Sequence, residues 1–324
     1  MQNTKRIALG RIIVIAIIVT VAPFTVSEYK ADVLTMLLIN IILVSSFRLI
    51  TTTGGWSLAH VPMMGAGAYA TALMSTRWGC PFLIALPLAS LTAGLVGMVV
   101  SYPLSRTKGF SFFVASFAAG EAIRLCWIRF KFPFGGHRGV SNIQPPKLIP
   151  GLDFSEAIPY YFLTLAVTIL CLMILYRIDR SRLGNTFKVI ESQEDLSSSL
   201  GINTKKYKML AFAIGSCFAG TAGVMLAHRL WAIEPHQFGF MTTLYLLVWV
   251  VFGGTHTFWG PIIGVVVMTL LGEILNPLME WIPLVYGVII ILTLHFLPEG
   301  LGGLQARTGL RLGNFWKIRI TFEK

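Results

Sequence analysis

Glu121 is the side chain best placed to do chemistry in this sequence. It follows the largely apolar run Phe110–Gly120, where a lone carboxylate is costly and therefore informative. Arg124 stands three residues on and shares its helical face, so an internal ion pair is one reading. The other is that Glu121 borders a polar cavity or stabilises a helix break. Glu273, near the end of another apolar element, makes a similar case. Two glycine pairs, Gly54–Gly55 and Gly253–Gly254, each precede a glycine-rich apolar element and carry a histidine nearby, His60 and His256. Breaks of this kind expose helix ends and carbonyls where a zwitterionic molecule could be held. The likeness between the two halves suggests an internal repeat.

An intramembrane enzyme using Glu121, Glu273 or a histidine as acid or base would need a converging Ser/His, paired-Asp or metal motif, and the sequence has none. The six histidines lack HExxH or clustered ligand spacing. Cys80, Cys126, Cys171 and Cys217 lie in or beside apolar segments without CxxC spacing, and read as small buried hydrophobes. No GxxxxGK[ST] occurs, so the phosphate cradle of a P-loop is missing. If ATP drives this protein, another polypeptide hydrolyses it. No metal or cofactor is expected.

The elements that must position these residues are membrane helices. Of the 324 residues, 55% are apolar and only 12% charged, against about 25% charged in a soluble domain. The apolar residues cluster in runs such as Ile12–Ala22, Val33–Val44, Leu83–Val100, Tyr160–Leu175 and Val285–Leu294. Backbone polar groups cannot reach water inside hydrocarbon, and these runs are too continuous for barrel strands, so the helical solution wins. The expected fold is an all-α polytopic transmembrane helical bundle of about 8–10 membrane elements. They fall near 7–27, 33–50, 60–77, 82–102, 110–129, 157–176, 209–229, 240–253, 261–279 and 283–297. The glycine- and alanine-rich 60–77 and the short 240–253 are candidates for broken or re-entrant helices.

The net charge of +12 does not indicate nucleic acid, because the basic residues fall in short connections. Ten crossings place Lys5, Arg6, Arg11, Arg48, Arg106, Lys108, the 177–208 loop and the tail from Arg307 to Lys324 on one side, with 18 of the 26 Lys and Arg residues. That asymmetry favours both termini in the cytoplasm. The basic start followed by Ile12–Ala22 resembles a signal sequence, but no small-x-small cleavage site clearly follows, so a retained first span is expected. Residues 1–304 then form one transmembrane domain and 305–324 a basic cytoplasmic tail. Glycines recur within the apolar helices, at Gly65 and Gly67, Gly94 and Gly97, Gly215, Gly220 and Gly223, and Gly260 and Gly264, and allow close helix packing.

Two connections are long. The 131–156 stretch, with Phe134-Gly135-Gly136-His137-Arg138-Gly139 and Pro145-Pro146, reads as an ordered, turn-rich extracytoplasmic loop. In the cytoplasmic 177–208 stretch, Ile190, Leu196 and Leu200 predict a short surface helix over about 188–199 with a partly apolar face. Gly201 would end it in a left-handed conformation. Such a helix, leading through a basic turn into the next span, either passes force from a soluble partner or only anchors the loop at the interface.

Here the chain resembles the second permease subunit of bacterial ABC importers for branched-chain amino acids. The likeness runs through Gly54-Gly55-Trp56-Ser57-Leu58-Ala59-His60, Gly65-Ala66-Gly67-Ala68-Tyr69, Gly109-Phe110 and Ala118-Ala119-Gly120-Glu121-Ala122-Ile123-Arg124. It continues in Gly201-Ile202-Asn203-Thr204, Tyr207 to Phe212, Ala219 to Gly223, Gly253-Gly254, Trp259-Gly260-Pro261, Gly264, Glu273 and Pro298-Glu299-Gly300-Leu301, covering about residues 10–304. The resemblance implies that 188–201 enters a cleft on an ATPase subunit, with Glu194, Leu196, Leu200 and Gly201 in the contact. The sequence departs from the family at Leu196, where a small residue is usual, and at Glu191, Ser192 and Glu299. Partners implied are two ATP-binding subunits, a second related permease and a periplasmic or extracytoplasmic substrate-binding protein. The substrate path would include Gly54, Gly55, His60, Glu121, Gly253, Gly254 and Glu273. The implied function is ATP-driven import of leucine, isoleucine or valine by alternating access across the bacterial inner membrane. Urea or short amides fit the same pattern, and an ion-coupled secondary transporter is the alternative that predicts uptake without ATP.

Overall fold

The computed structural model describes residues 23, 27–147, 153–276, 281–297 and 300–303. The expected first span at 7–27, apart from residues 23 and 27, lies outside the described residues, as do Pro298, Glu299 and the basic tail 305–324. The helices are α1 (Glu28–Thr51), α2 (His60–Trp78), α3 (Phe82–Leu104), α4 (Gly109–Arg129), α5 (Ala157–Asp179), α6 (Arg182–Ser192), α7 (Glu194–Ser199), α8 (Thr204–Leu230), α9 (Phe240–Gly253), α10 (Gly260–Ile274) and α11 (Ile282–Phe296). The spans expected from residue 33 onward all appear as helices. Six helical segments among the described residues are long and apolar enough to cross a membrane, α9 being counted with the 3-10 turn before it. The exposed flanks of α3 (Leu83, Leu91, Leu95, Val99) and α5 (Leu170, Met173) suit hydrocarbon.

The chain alternates between two ends. The near end gathers the last residues of α1, α3, α5 and α9; the far end gathers those of α2, α4, α8 and α10. The long connections therefore separate as expected, 177–208 at the near end and 131–156 at the far end. Within the latter, β1 (Val140–Ser141) pairs antiparallel with β2 (Ala232–Ile233), which follows α8.

The interior belongs to α1, α2 and α8. At 27 residues α8 is about 40 Å long, enough for a full crossing. It packs on α2 through glycine: a Cβ on Gly67 would run into the Gly220 backbone, and one on Gly223 into the Met64 carbonyl. Helix α3 meets α8 in the same way, where Gly97 abuts Ser216. Polar bonds between helices reinforce these contacts, with Ser90 to Thr221 at 2.9 Å, Thr71 to His228 at 3.1 Å, and the Tyr160 hydroxyl donating to the Met225 carbonyl. Because α2 is buried by protein on most sides, it can be richer in small residues than a lipid-facing span, and it runs unbroken from His60 to Trp78. Helix α4 is peripheral, with only Ser116, Gly120 and Trp127 buried.

The expected surface helix at 188–199 is instead two helices. Gln193, at φ −150° and ψ 81°, breaks the run between α6 and α7. The repeat has a local counterpart in backbone geometry: Gly54 (φ +80°) and Gly254 (φ +81°) each turn the chain out of one helix toward the next, at the same end of the bundle. Pro62 and Gly65 follow the first turn as Pro261 and Gly264 follow the second.

Candidate functional site

The near end carries a layered site built around α6 and α7. Ser181 opens α6 by accepting from the Gly184 amide. Gly184 is small because a Cβ there would overlap the carbonyl of Asp179. On its inner face α6 buries Phe187 and Ile190, and Phe187 packs in a cluster with Leu49, Leu175, Ala211 and Phe258. One side of the segment is thus rooted in the bundle.

Beyond the break, α7 begins with Glu194 and Asp195, acidic residues favoured at a helix start by the backbone dipole. They also tether it: Lys208 of α8 meets Glu194 at 2.8 Å, and Lys108 of the α3–α4 turn meets Asp195 at 3.1 Å. Gly201 closes α7 at φ +83°. Its amide donates to the Ser198 carbonyl at 3.0 Å and that of Ile202 to the Ser197 carbonyl at 3.1 Å, the Schellman pattern of hydrogen bonds. Asn203 then caps α8 by accepting from the Lys206 amide at 3.1 Å.

The apolar face expected from Ile190, Leu196 and Leu200 is divided by the break at Gln193. Ile190 points into the core at 1% exposure, whereas Leu196 (54%) and Leu200 (72%) are presented to solvent. Two leucines on a tethered helix of otherwise polar residues form a small apolar projection.

Beneath this projection lies a buried ion pair that sequence reasoning missed. Arg48, 3% exposed near the end of α1, donates from Nη1 to Asp179 Oδ1 at 2.9 Å and from Nε to the Thr255 carbonyl at 3.0 Å. Asp179 also pairs with Lys188 of α6 at 3.1 Å. The available signal was Arg48 itself, a charge at the end of the run Val33–Ile50 and counted only toward topology. Nearby Glu191 is exposed, yet partial desolvation of its carboxyl raises it above the usual range, against the opposing pull of His256, Arg48 and Lys188.

The residues expected to line a path are distributed along the bundle. Gly54 and Gly55 edge a narrow cleft of about 30 Å³ at the near end, shared with Ile50, Phe112, Lys108 and Lys208. Gly253 and Gly254 sit in a tight knot with Gly260 and Gly300 at the same end. His60 is fully buried, with Nε2 2.9 Å from Ser46 Oγ and its ring edge-on to Phe47. Glu121 pairs with Arg124 at 2.7 Å in its own helix, and Glu273 accepts from the Tyr29 hydroxyl at 3.2 Å toward the far end. The two carboxylates thus have separate partners. Among the described residues no group of three or more His, Cys, Asp or Glu side chains could hold a metal ion.

Residues 29–294 match a family described as branched-chain amino acid transport system / permease component. The chain is 28% identical over 303 residues to the high-affinity branched-chain amino acid transport system permease protein LivM of Salmonella typhimurium, covering 86% of this chain and 71% of that one. LivM of Escherichia coli K12 is 27% identical with the same coverage, and LivH of that strain is 29% identical over 150 residues, 46% of this chain and 47% of LivH. No solved structure gives a significant match.

Proposed function

The chain belongs to the branched-chain amino acid transport permease family, and from that premise we propose how it works. It is a polytopic membrane protein and a permease component of a multisubunit ABC importer; ATP hydrolysis resides on separate subunits. Its cargo is leucine, isoleucine or valine, moved by alternating access at an interface with a second, related permease. Two ATP-binding subunits act from the near end, which faces the cytoplasm together with both termini. A periplasmic or extracytoplasmic binding protein delivers substrate to the far end, in the bacterial inner membrane.

The observation that carries this reading is the α6–α7 segment. It is rooted in the core by Phe187 and Ile190, yet displays Leu196 and Leu200 on the opposite side of the Gln193 break. A merely anchoring interfacial loop has no need of a rigid root and a capped, tethered tip. In this reading Glu194, Leu196, Leu200 and Gly201 form the contact with the ATPase. Gly54, Gly55, His60, Glu121, Gly253, Gly254 and Glu273 belong to the helices that rearrange around the substrate path.

Uptake of labelled leucine into proteoliposomes holding the complete transporter tests this function. The expected result is uptake that requires ATP and the binding protein and ignores ionophores. Uptake by this chain alone, or uptake driven by an ion gradient without ATP, overturns it. Labelling of a Ser199→Cys variant from the cytoplasmic side, and not from outside, checks the orientation.

A further inference from the structure

We propose that Arg48 is a positioning residue that ties the coupling segment to the glycine turns, so that displacement of α6 reaches α1 and the α9–α10 turn together. The proposal rests on the reading of α6–α7 as the ATPase contact.

One guanidinium makes the joint. It lies on α1, holds the end of α5 through Asp179 at 2.9 Å, and holds the turn after Gly254 through the Thr255 carbonyl at 3.0 Å. It also covers the ring of Phe258, in the same turn, at 5.6 Å. Asp179 carries the connection onward to Lys188 of α6 at 3.1 Å, and Phe258 does so through the apolar cluster it shares with Phe187. The other glycine turn abuts the same helix: a Cβ on Gly54 would lie 3.9 Å from the Glu191 Cα. Both turns therefore rest on α6, one of them through Arg48.

The chemistry explains why arginine stands here. Its planar fork can direct separate donors to a carboxylate and a carbonyl at fixed angles, which a lysine ammonium cannot reproduce. A buried ion pair is a poor device for stability alone, since apolar residues of similar size often serve as well. What an apolar pair cannot supply is a directional link between three chain segments.

The test uses the complete transporter in proteoliposomes, reading leucine moved per ATP hydrolysed alongside the melting midpoint of the complex. In the double variant Arg48→Met/Asp179→Leu the expected result is a near wild-type midpoint with the transport-to-hydrolysis ratio lowered about tenfold. A purely structural ion pair predicts that the ratio recovers with the midpoint, and that result overturns the proposal. Should the double variant not assemble, Arg48→Lys decides, because it keeps the charge and loses the second directed donor. Its expected ratio is several-fold below wild type, and an unchanged ratio overturns the proposal. Leu200→Asp, measured in parallel, separates the two ideas. If its ratio is wild type, the coupling reading itself fails; if it is lowered while the Arg48 variants are unaffected, only the joint fails.

Discussion

Gly201 allows the coupling reading to be tested by backbone geometry alone. Among the described residues nothing lies within 4 Å of where its Cβ would be, so a methyl there meets no neighbour. The penalty comes from φ +83°, a conformation that L-residues adopt at about 1–2 kcal/mol. Relief of that strain would unmake the two closing hydrogen bonds, from Gly201 to Ser198 and from Ile202 to Ser197, and fray the end of α7 where Leu200 is displayed. A penalty of that size lowers the ratio of capped to frayed segment by a factor of about 5–30, which sets the upper limit of the loss. Gly201→Ala and Gly201→Leu should therefore lower substrate-stimulated ATP hydrolysis by similar amounts, up to this factor. Gly201→Asn, which tolerates the left-handed region better, should fall between them and wild type, with insertion intact in all three. The assay is ATP hydrolysis by the reconstituted complex with and without loaded binding protein. Wild-type stimulation in the Leu variant refutes the role of this cap. A Leu variant far weaker than the Ala variant refutes the strain argument and points to a crowded partner surface.

The remaining expectations concern stability and pH. Asp179→Asn leaves Arg48 buried with a weakened partner and should lower the stability of the complex by about 3–5 kcal/mol, read as a fall in its melting midpoint; an unchanged midpoint would show that the pair is dispensable for packing. Gly223→Ala places a methyl on the Met64 carbonyl and should cost about 1–3 kcal/mol by parting α2 from α8, visible as reduced yield of folded protein in detergent. Glu191 has a raised carboxyl, so its ionised form is less favourable in the folded state, and stability drops as pH climbs from the ordinary carboxylate range through the raised value. Glu191→Gln should melt slightly above wild type at neutral pH and converge with it below the carboxylate range; a variant that melts lower at neutral pH would reverse the sign of this argument.

Much of the architecture could be read from the chain because the governing quantities are local. Apolar content summed over a window dictates membrane helices, and α1 to α5 and α8 to α11 appear close to where those windows fall. The Gly201 cap follows from residue type at a helix end, and the Glu121–Arg124 pair from a spacing of three. The surface helix divides at Gln193 although its spacing, taken alone, is compatible with a continuous run. Burying Phe187 and Ile190 against α5 and α8 while tethering Glu194 and Asp195 to lysines elsewhere requires a change of direction at Gln193.

Composition and hydropathy determine by themselves that this chain is built of several membrane helices, since these properties add along the chain, and the order of its motifs carries its likeness to a permease family. Which charges meet is a different kind of question. Arg48 and Asp179 are 131 residues apart, and only the packing of α1 beside α5 brings a cation at the end of one span within reach of a carboxylate at the end of another. The outward display of Leu196 and Leu200 is likewise decided by tertiary structure, because the side of a short helix that is buried depends on what the rest of the chain places beneath it.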